Sequence, residues 1–233
     1  MSGFFEDVAA LRPADGHSSD AGAVPVTAIE PDGHARGGIV VLHESKEFTD
    51  SLLALMRALA GEGWIAVAPH LFHRSGAEVF GDNLFADFDA SFDWLVGRGV
   101  FTDCVGALGF DDAGTAAFIV ATSRPIGAAV SIAARGIVAP LNDQVPALVD
   151  AAENLQAPWL GLYGETDPES PPEHVEKLHD AVAKAPVATN VVSYAGIGHR
   201  ADAPTEQEAA DSNEEVLVDA QTRIFDWFDS NLR

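Results

Sequence analysis

The stretch Cys104-Val105-Gly106-Ala107-Leu108-Gly109-Phe110-Asp111-Asp112-Ala113-Gly114 reads as a strand that breaks through a glycine and an acidic pair into a helix. Its first six residues are all small or apolar, which suits a strand buried on both faces. A turn this sharp needs φ > 0 at one residue, and Asp tolerates that better than most non-glycine residues. Outward from this stretch the same alternation recurs. Short apolar runs at 24–29, 38–42, 64–68, 127–132, 158–163 and 189–194 predict strands. Segments of helical period at 50–60, 84–96, 114–122, 145–154, 172–185 and 213–232 predict helices. In the first helix Leu52, Leu53, Leu55, Met56 and Leu59 form one stripe, and Gly61 and Gly63 stop it. In the last, Val216, Val218, Ile224, Trp227 and Phe228 are predicted to face inward. Such alternation predicts the α/β class: a mostly parallel central sheet with right-handed crossovers and helices on both faces. The expected organisation is one domain over residues 1–233.

Composition narrows the function. The chain holds 13 Lys and Arg against 36 Asp and Glu, a net charge of −23. Nucleic acid and anionic membrane are therefore poor partners, because both are bound through Lys and Arg. A small-molecule substrate or ligand is the expected partner. No apolar run approaches the roughly 20 residues that span a bilayer. The opening MSGFFEDVAALRP has neither a basic region nor a long apolar stretch, so no signal peptide is expected and a cytoplasmic location is. The single cysteine, Cys104, forms no internal disulfide and no cysteine-based zinc site. It lies about seven residues before Asp111, roughly 20 Å along an extended chain, and reads as a small buried apolar side chain.

In open α/β sheets ligands sit at the carboxyl ends of the strands. Those ends carry His43-Glu44-Ser45, then Pro69-His70-Leu71-Phe72-His73-Arg74, then the Asp111 turn, then Gly164-Glu165-Thr166-Asp167, and last Gly196-Ile197-Gly198-His199. A nucleophile position, an acid and a histidine follow one another in the order of the α/β-hydrolase triad.

Together LHE after a strand, APxLF followed by an arginine, GFxxxG at a strand-to-helix turn, GExDPxxPP and a late GxGH resemble the dienelactone hydrolase family. The resemblance implies an α/β-hydrolase fold. About 34 residues separate Ser123 from Pro158, which leaves no room for a cap domain. It implies catalytic roles for Asp111, His199, Asp167 and Glu44. It implies substrate-binding roles for the Arg74 side chain, toward a substrate carboxylate, and for the backbone N–H groups of Ser45 and Asp112, as an oxyanion hole. It implies no cofactor. The expected activity is hydrolysis of a small, anionic ester, lactone or related electrophile.

The sequence departs from that family at the turn, where cysteine or serine is the rule. Asp111 stands there, and Ala113 replaces a glycine. Three readings of Asp111 stay open. It is a nucleophile, as in the dehalogenases and epoxide hydrolases of the same superfamily. It is a general base for direct water attack. Or it remains after nucleophilic chemistry was lost, which makes the chain a non-catalytic small-molecule binding protein. Glu44, Asp111 and Asp112 in one pocket cannot all ionise cheaply, so one carboxyl pKa is expected to rise. The same three acids could hold a divalent cation, but their spacing matches no metal motif, and no metal is assigned. His70 and His73 are read as pocket lining or surface.

Overall fold

Val105–Phe110, the strand read first, lies at the centre of one eight-stranded sheet in the computed structural model, which describes residues 3–12, 22–44, 48–74, 82–200 and 215–232. The strands are β1 (Phe5–Ala10), β2 (Ala23–Ile29), β3 (Gly37–Leu42), β4 (Trp64–Pro69), β5 (Val105–Phe110), β6 (Ala128–Ile132), β7 (Trp159–Gly164) and β8 (Thr189–Tyr194). Their order is β1-β2-β4-β3-β5-β6-β7-β8. From β4 to β8 every neighbouring pair is parallel, while β2 runs antiparallel to both β1 and β4. The described helices are α1 (Asp50–Gly61), α2 (Asp82–Gly97), α3 (Asp111–Ser123), α4 (Leu148–Ala151), α5 (Pro172–Val182) and α6 (Glu215–Asn231). This is the α/β-hydrolase arrangement, and the described residues hold no cap.

Two apolar layers explain why the sheet is buried throughout its centre. Side chains alternate between faces along each strand, so Val40 and Leu42 enter one layer and Ile39 and Val41 the other. The first layer receives Leu84, Phe88 and Leu95 of α2, Phe118 of α3 and Leu178 of α5. The second receives Leu55, Met56 and Leu59 of α1 with Ile224 and Phe228 of α6. Burial of each such side chain contributes about 1.5–3 kcal/mol. Val218 departs from expectation: it is 56% exposed, because α6 presents Ala220, Ile224 and Phe228 to the sheet and turns Val218 away. Cys104 is buried at the entry to β5, as the sequence indicates. β1 was not expected from the sequence; it pairs antiparallel with β2 along the sheet edge.

Strand order reverses between β3 and β5. From β3 the chain steps out to β4, and after α2 it returns to the other side of β3 as β5. The crevice at the carboxyl ends of β3 and β5 is the place where such sheets bind ligands.

Candidate active site

β5 delivers Asp111 into that crevice. Its φ is +56°, a left-handed conformation that costs most L residues about 1–2 kcal/mol. The turn closes only because residue 109 is glycine, since a Cβ there would lie 2.1 Å from the Ala113 carbonyl oxygen. Gly114 is nearly as confined, with 3.2 Å to the carbonyl oxygens of Gly109 and Ile132. Asp111 and Asp112 form the first turn of α3, where the positive end of the helix favours negative charge.

The loop after β8 brings His199 to this turn. His199 Nε2 lies 2.7 Å from Asp111 Oδ1, and His199 Nδ1 lies 2.7 Å from Asp167 Oδ2. Asp167 is itself held by its own turn: it accepts the Glu169 N–H at 2.9 Å and the Ser170 hydroxyl at 3.1 Å. With only 2% of its side chain exposed, it fixes the imidazole in one orientation. The expected Asp111, His199 and Asp167 therefore converge.

These contacts set the charges. The Asp111 carboxylate raises His199 to about 9, with Asp167 adding to it, against burial that acts the other way. Burial would raise Asp111, but His199, Arg135 and Arg200 outweigh it and hold the carboxyl below its usual range. At neutral pH the Asp111 carboxylate thus faces a His199 imidazolium. Glu44, at the end of β3, is pushed up to about 7 by burial and by the charges of Asp112 and Asp111. Arg135 and the Asp112 backbone N–H oppose that rise. The crowding of acids expected from the sequence is present, and Glu44 is the carboxyl that rises.

Two arginines at the site were not anticipated. Arg135 follows β6 through Ala133, whose φ is +51°. Its carbonyl accepts the Thr115 hydroxyl at 2.6 Å, which ties the loop to α3. One turn earlier, Trp159 Nε1–H donates to Ser131 Oγ at 2.8 Å and Ser131 donates to the Gly114 carbonyl at 2.7 Å. The Arg135 guanidinium consequently lies 3.7 Å from Asp111 Oδ1 and 3.6 Å from Asp112 Oδ1. Arg200 stacks over Phe110, 3.9 Å from the ring centroid. Arginine directly after His199, in so base-poor a chain, was the one available signal.

Arg74, expected to meet a substrate carboxylate, is held by a carboxylate of the chain itself. Both outer nitrogens bind Asp87, at 2.9 and 2.6 Å, and His73 Nε2 joins the same carboxylate at 3.2 Å. Asp87 is almost fully buried on α2, so it demands this cation. A substrate carboxylate at Arg74 would have to compete with it. Ser45 lies outside the described residues. Among the described residues no group of three or more His, Cys, Asp or Glu side chains could hold a metal ion, and no helix is long and apolar enough to cross a membrane.

Comparison with known proteins agrees with this fold. Residues 24–232 match the model of the dienelactone hydrolase family. A Yersinia pestis protein provisionally named a carboxymethylenebutenolidase is 27% identical over 225 residues, covering 88% of this chain and 83% of the relative. A Methylorubrum extorquens protein of the same provisional name is 28% identical over 233 residues, covering 89% and 77%. A crystal structure from Klebsiella pneumoniae, provisionally named a dienelactone hydrolase, superposes with a TM-score of 0.77 at 24% identity over 97% of this chain and 98% of that one.

Proposed function

This chain belongs to the dienelactone hydrolase family, and within it we propose a hydrolase of small electrophiles in which Asp111 is the nucleophile and attacks a saturated carbon. The 2.7 Å contact between Asp111 and His199 carries this reading. A carboxylate that attacks an ester carbonyl forms an anhydride, from which it leaves more readily than an alkoxide does. Attack at a saturated carbon avoids that reversal. Suitable substrates are an epoxide, a 2-haloacid, or a lactone opened at its alkyl carbon. Arg135 and Arg200 offer positive charge to a small anionic substrate in an otherwise strongly acidic chain.

The charges make the two steps self-consistent. Ionised Asp111 forms a bond to carbon, and the leaving group departs with the electron pair of the broken bond. Esterification removes the Asp111 charge, the chief cause of the raised His199 pKa. His199 then releases its proton to the leaving group or to solvent and becomes a neutral base. It takes a proton from water as the water oxygen adds to the Asp111 carboxyl carbon. The ester C–O bond breaks, the alkoxide is protonated as the alcohol, and Asp111 returns to carboxylate beside imidazolium. Asp167 keeps the imidazole aligned through both steps.

A second reading rests on one observation. Asp111, Asp112, His199 and Arg135 neutralise one another at short range, as a site that binds a ligand without chemistry would also allow. One experiment separates the two. His199→Ala should form the alkyl ester and fail to hydrolyse it. Incubated with 1,2-epoxybutane, chloroacetate or β-butyrolactone, the variant is expected to accumulate one covalent adduct on the peptide containing Asp111. A folded His199→Ala protein that stays unmodified by all three favours the non-catalytic reading.

A further inference from the structure

We propose that a cavity beside the Asp111 crevice, lined by Pro25, His43, Phe48, His70, Phe72 and His73, is a binding site for a single planar aromatic ring bearing a hydroxyl group. The cavity measures about 140 Å³. A cavity of roughly 150 Å³ accepts one benzene ring, so the space is of a size for one ring. It lies at the carboxyl ends of β3 and β4, beside the amino end of the antiparallel β2, on the side of the sheet where this architecture places ligands. His43 ends β3 and is followed directly by Glu44, which fixes the cavity next to the acidic site.

Its lining sets it apart. Two other cavities, one by the turn between β2 and β3 and one against α5, are larger at 230 Å³ but contain one imidazole each and no phenyl ring. Here two phenyl rings and three imidazoles meet. The Phe48 centroid lies 4.8 Å from those of both His43 and His70, with interplanar angles of 59° and 47°. Rings tilted in this way present edges and faces to a further flat ring, and aromatic pairs gain from that geometry beyond the area they bury. A saturated ring of similar size gains only the area.

The hydroxyl follows from the hydrogen bonds around the histidines. Thr27 donates its hydroxyl to Glu6 at 2.6 Å, so its oxygen accepts from His70 Nε2 at 2.9 Å. His73 Nε2 lies 3.2 Å from the Asp87 carboxylate, which can only accept. Both Nε2 atoms therefore carry a proton, and the tautomer this selects presents Nδ1 as the acceptor. His70 retains 32% side-chain exposure, so the cavity has a mouth. A ring hydroxyl supplies the donor that an Nδ1 acceptor requires.

The test reads binding and needs no turnover, so it stands or falls separately from the Asp111 chemistry. Phenol and cyclohexanol share size and donor and differ in flatness. Titrated by NMR into the full chain, phenol is expected to bind about tenfold more tightly than cyclohexanol. Intermolecular NOEs should link the phenol ring protons to Phe48 and His70. Phe48→Ala, in the half-buried segment before α1, should weaken phenol about fivefold and leave cyclohexanol within twofold. Equal affinity for the two alcohols, or NOEs to other residues only, overturns the proposal. So does an unchanged phenol affinity in Phe48→Ala. If that variant does not fold, the wild-type NOEs decide alone.

Discussion

Asp111 and His199 hold opposite charges over the same range of pH, and that range distinguishes the mechanisms open to them. Asp111 is ionised from well below neutrality, and His199 keeps its proton to about 9. A nucleophilic carboxylate is active throughout that window. We therefore expect kcat/KM to be flat from about pH 5 to 8 and to fall as His199 loses its proton. If neutral His199 instead activated water in the free enzyme, kcat/KM would climb about tenfold per pH unit toward 9. Glu44 yields a second prediction at this scale. Its folded pKa is raised from 4.5 to about 7. The protonated form is favoured in the fold, and that advantage is complete below about 4.5 and lost as pH rises through 7. Glu44→Gln should thus raise Tm at pH 8 by about 2–4 °C, corresponding to about 1 kcal/mol after screening at a half-buried site. The gain should vanish at pH 4 and below. An equal gain at both pH values would mean that packing, not charge, sets it. Asp111, His199, Asp167 and Glu44 were legible in the sequence because each ends a strand or follows one in a short turn. Arg135 was not. Its approach to Asp111 depends on the pairing of β5 with β6 and on the positive φ of Ala133, neither of which a linear pattern displays. The pairing of Arg74 was not legible either, because its partner, Asp87, lies on the next helix.

Elements carry the site through close backbone approach, most of all at the β5–α3 turn. The obstacle to a Cβ at Gly109 is the Ala113 backbone carbonyl at 2.1 Å, which cannot rotate away. At Gly106, earlier in the same strand, the obstacles are side-chain atoms of Phe228 and Ile39 at 2.7 and 2.8 Å. Side chains can shift. Gly109→Ala should therefore destabilise by about 3 kcal/mol or more and Gly106→Ala by about 1–2 kcal/mol, read by urea unfolding. The reverse ranking would mean that the elbow is looser than its geometry implies. Seven of the eight strands were legible within one residue at each end, because most of them are buried and read as apolar runs. β1 was missed: it is an edge strand whose residues alternate between exposed and partly buried, apart from Ala9, and it lacks the apolar run that marks the others. α3 starts at Asp111, three residues before the expected Gly114, since the acidic pair that reads as a turn also forms the first helical turn. The expected helix over 145–154 shortens to Leu148–Ala151 with a 3₁₀ turn over Ala152–Asn154. Pro146, two residues before it, keeps the preceding chain extended.

At the scale of the molecule, the sheet order, the switch between β3 and β5 and the two apolar layers place four carboxylates, one histidine and two arginines in one crevice. The fold class was readable from the alternation of periods alone. The reaction was not, because the same scaffold serves acyl and alkyl chemistry. The central claim is that Asp111 forms a covalent ester whose hydrolysis places solvent oxygen in its own carboxylate. The most direct measurement is a single turnover of 1,2-epoxybutane or chloroacetate in H₂¹⁸O with protein in excess, followed by mass spectrometry of the peptide containing Asp111. The account predicts one ¹⁸O in the Asp111 side chain and none in the alcohol product. Turnover that puts the label in the product, with Asp111 unlabelled, would contradict it.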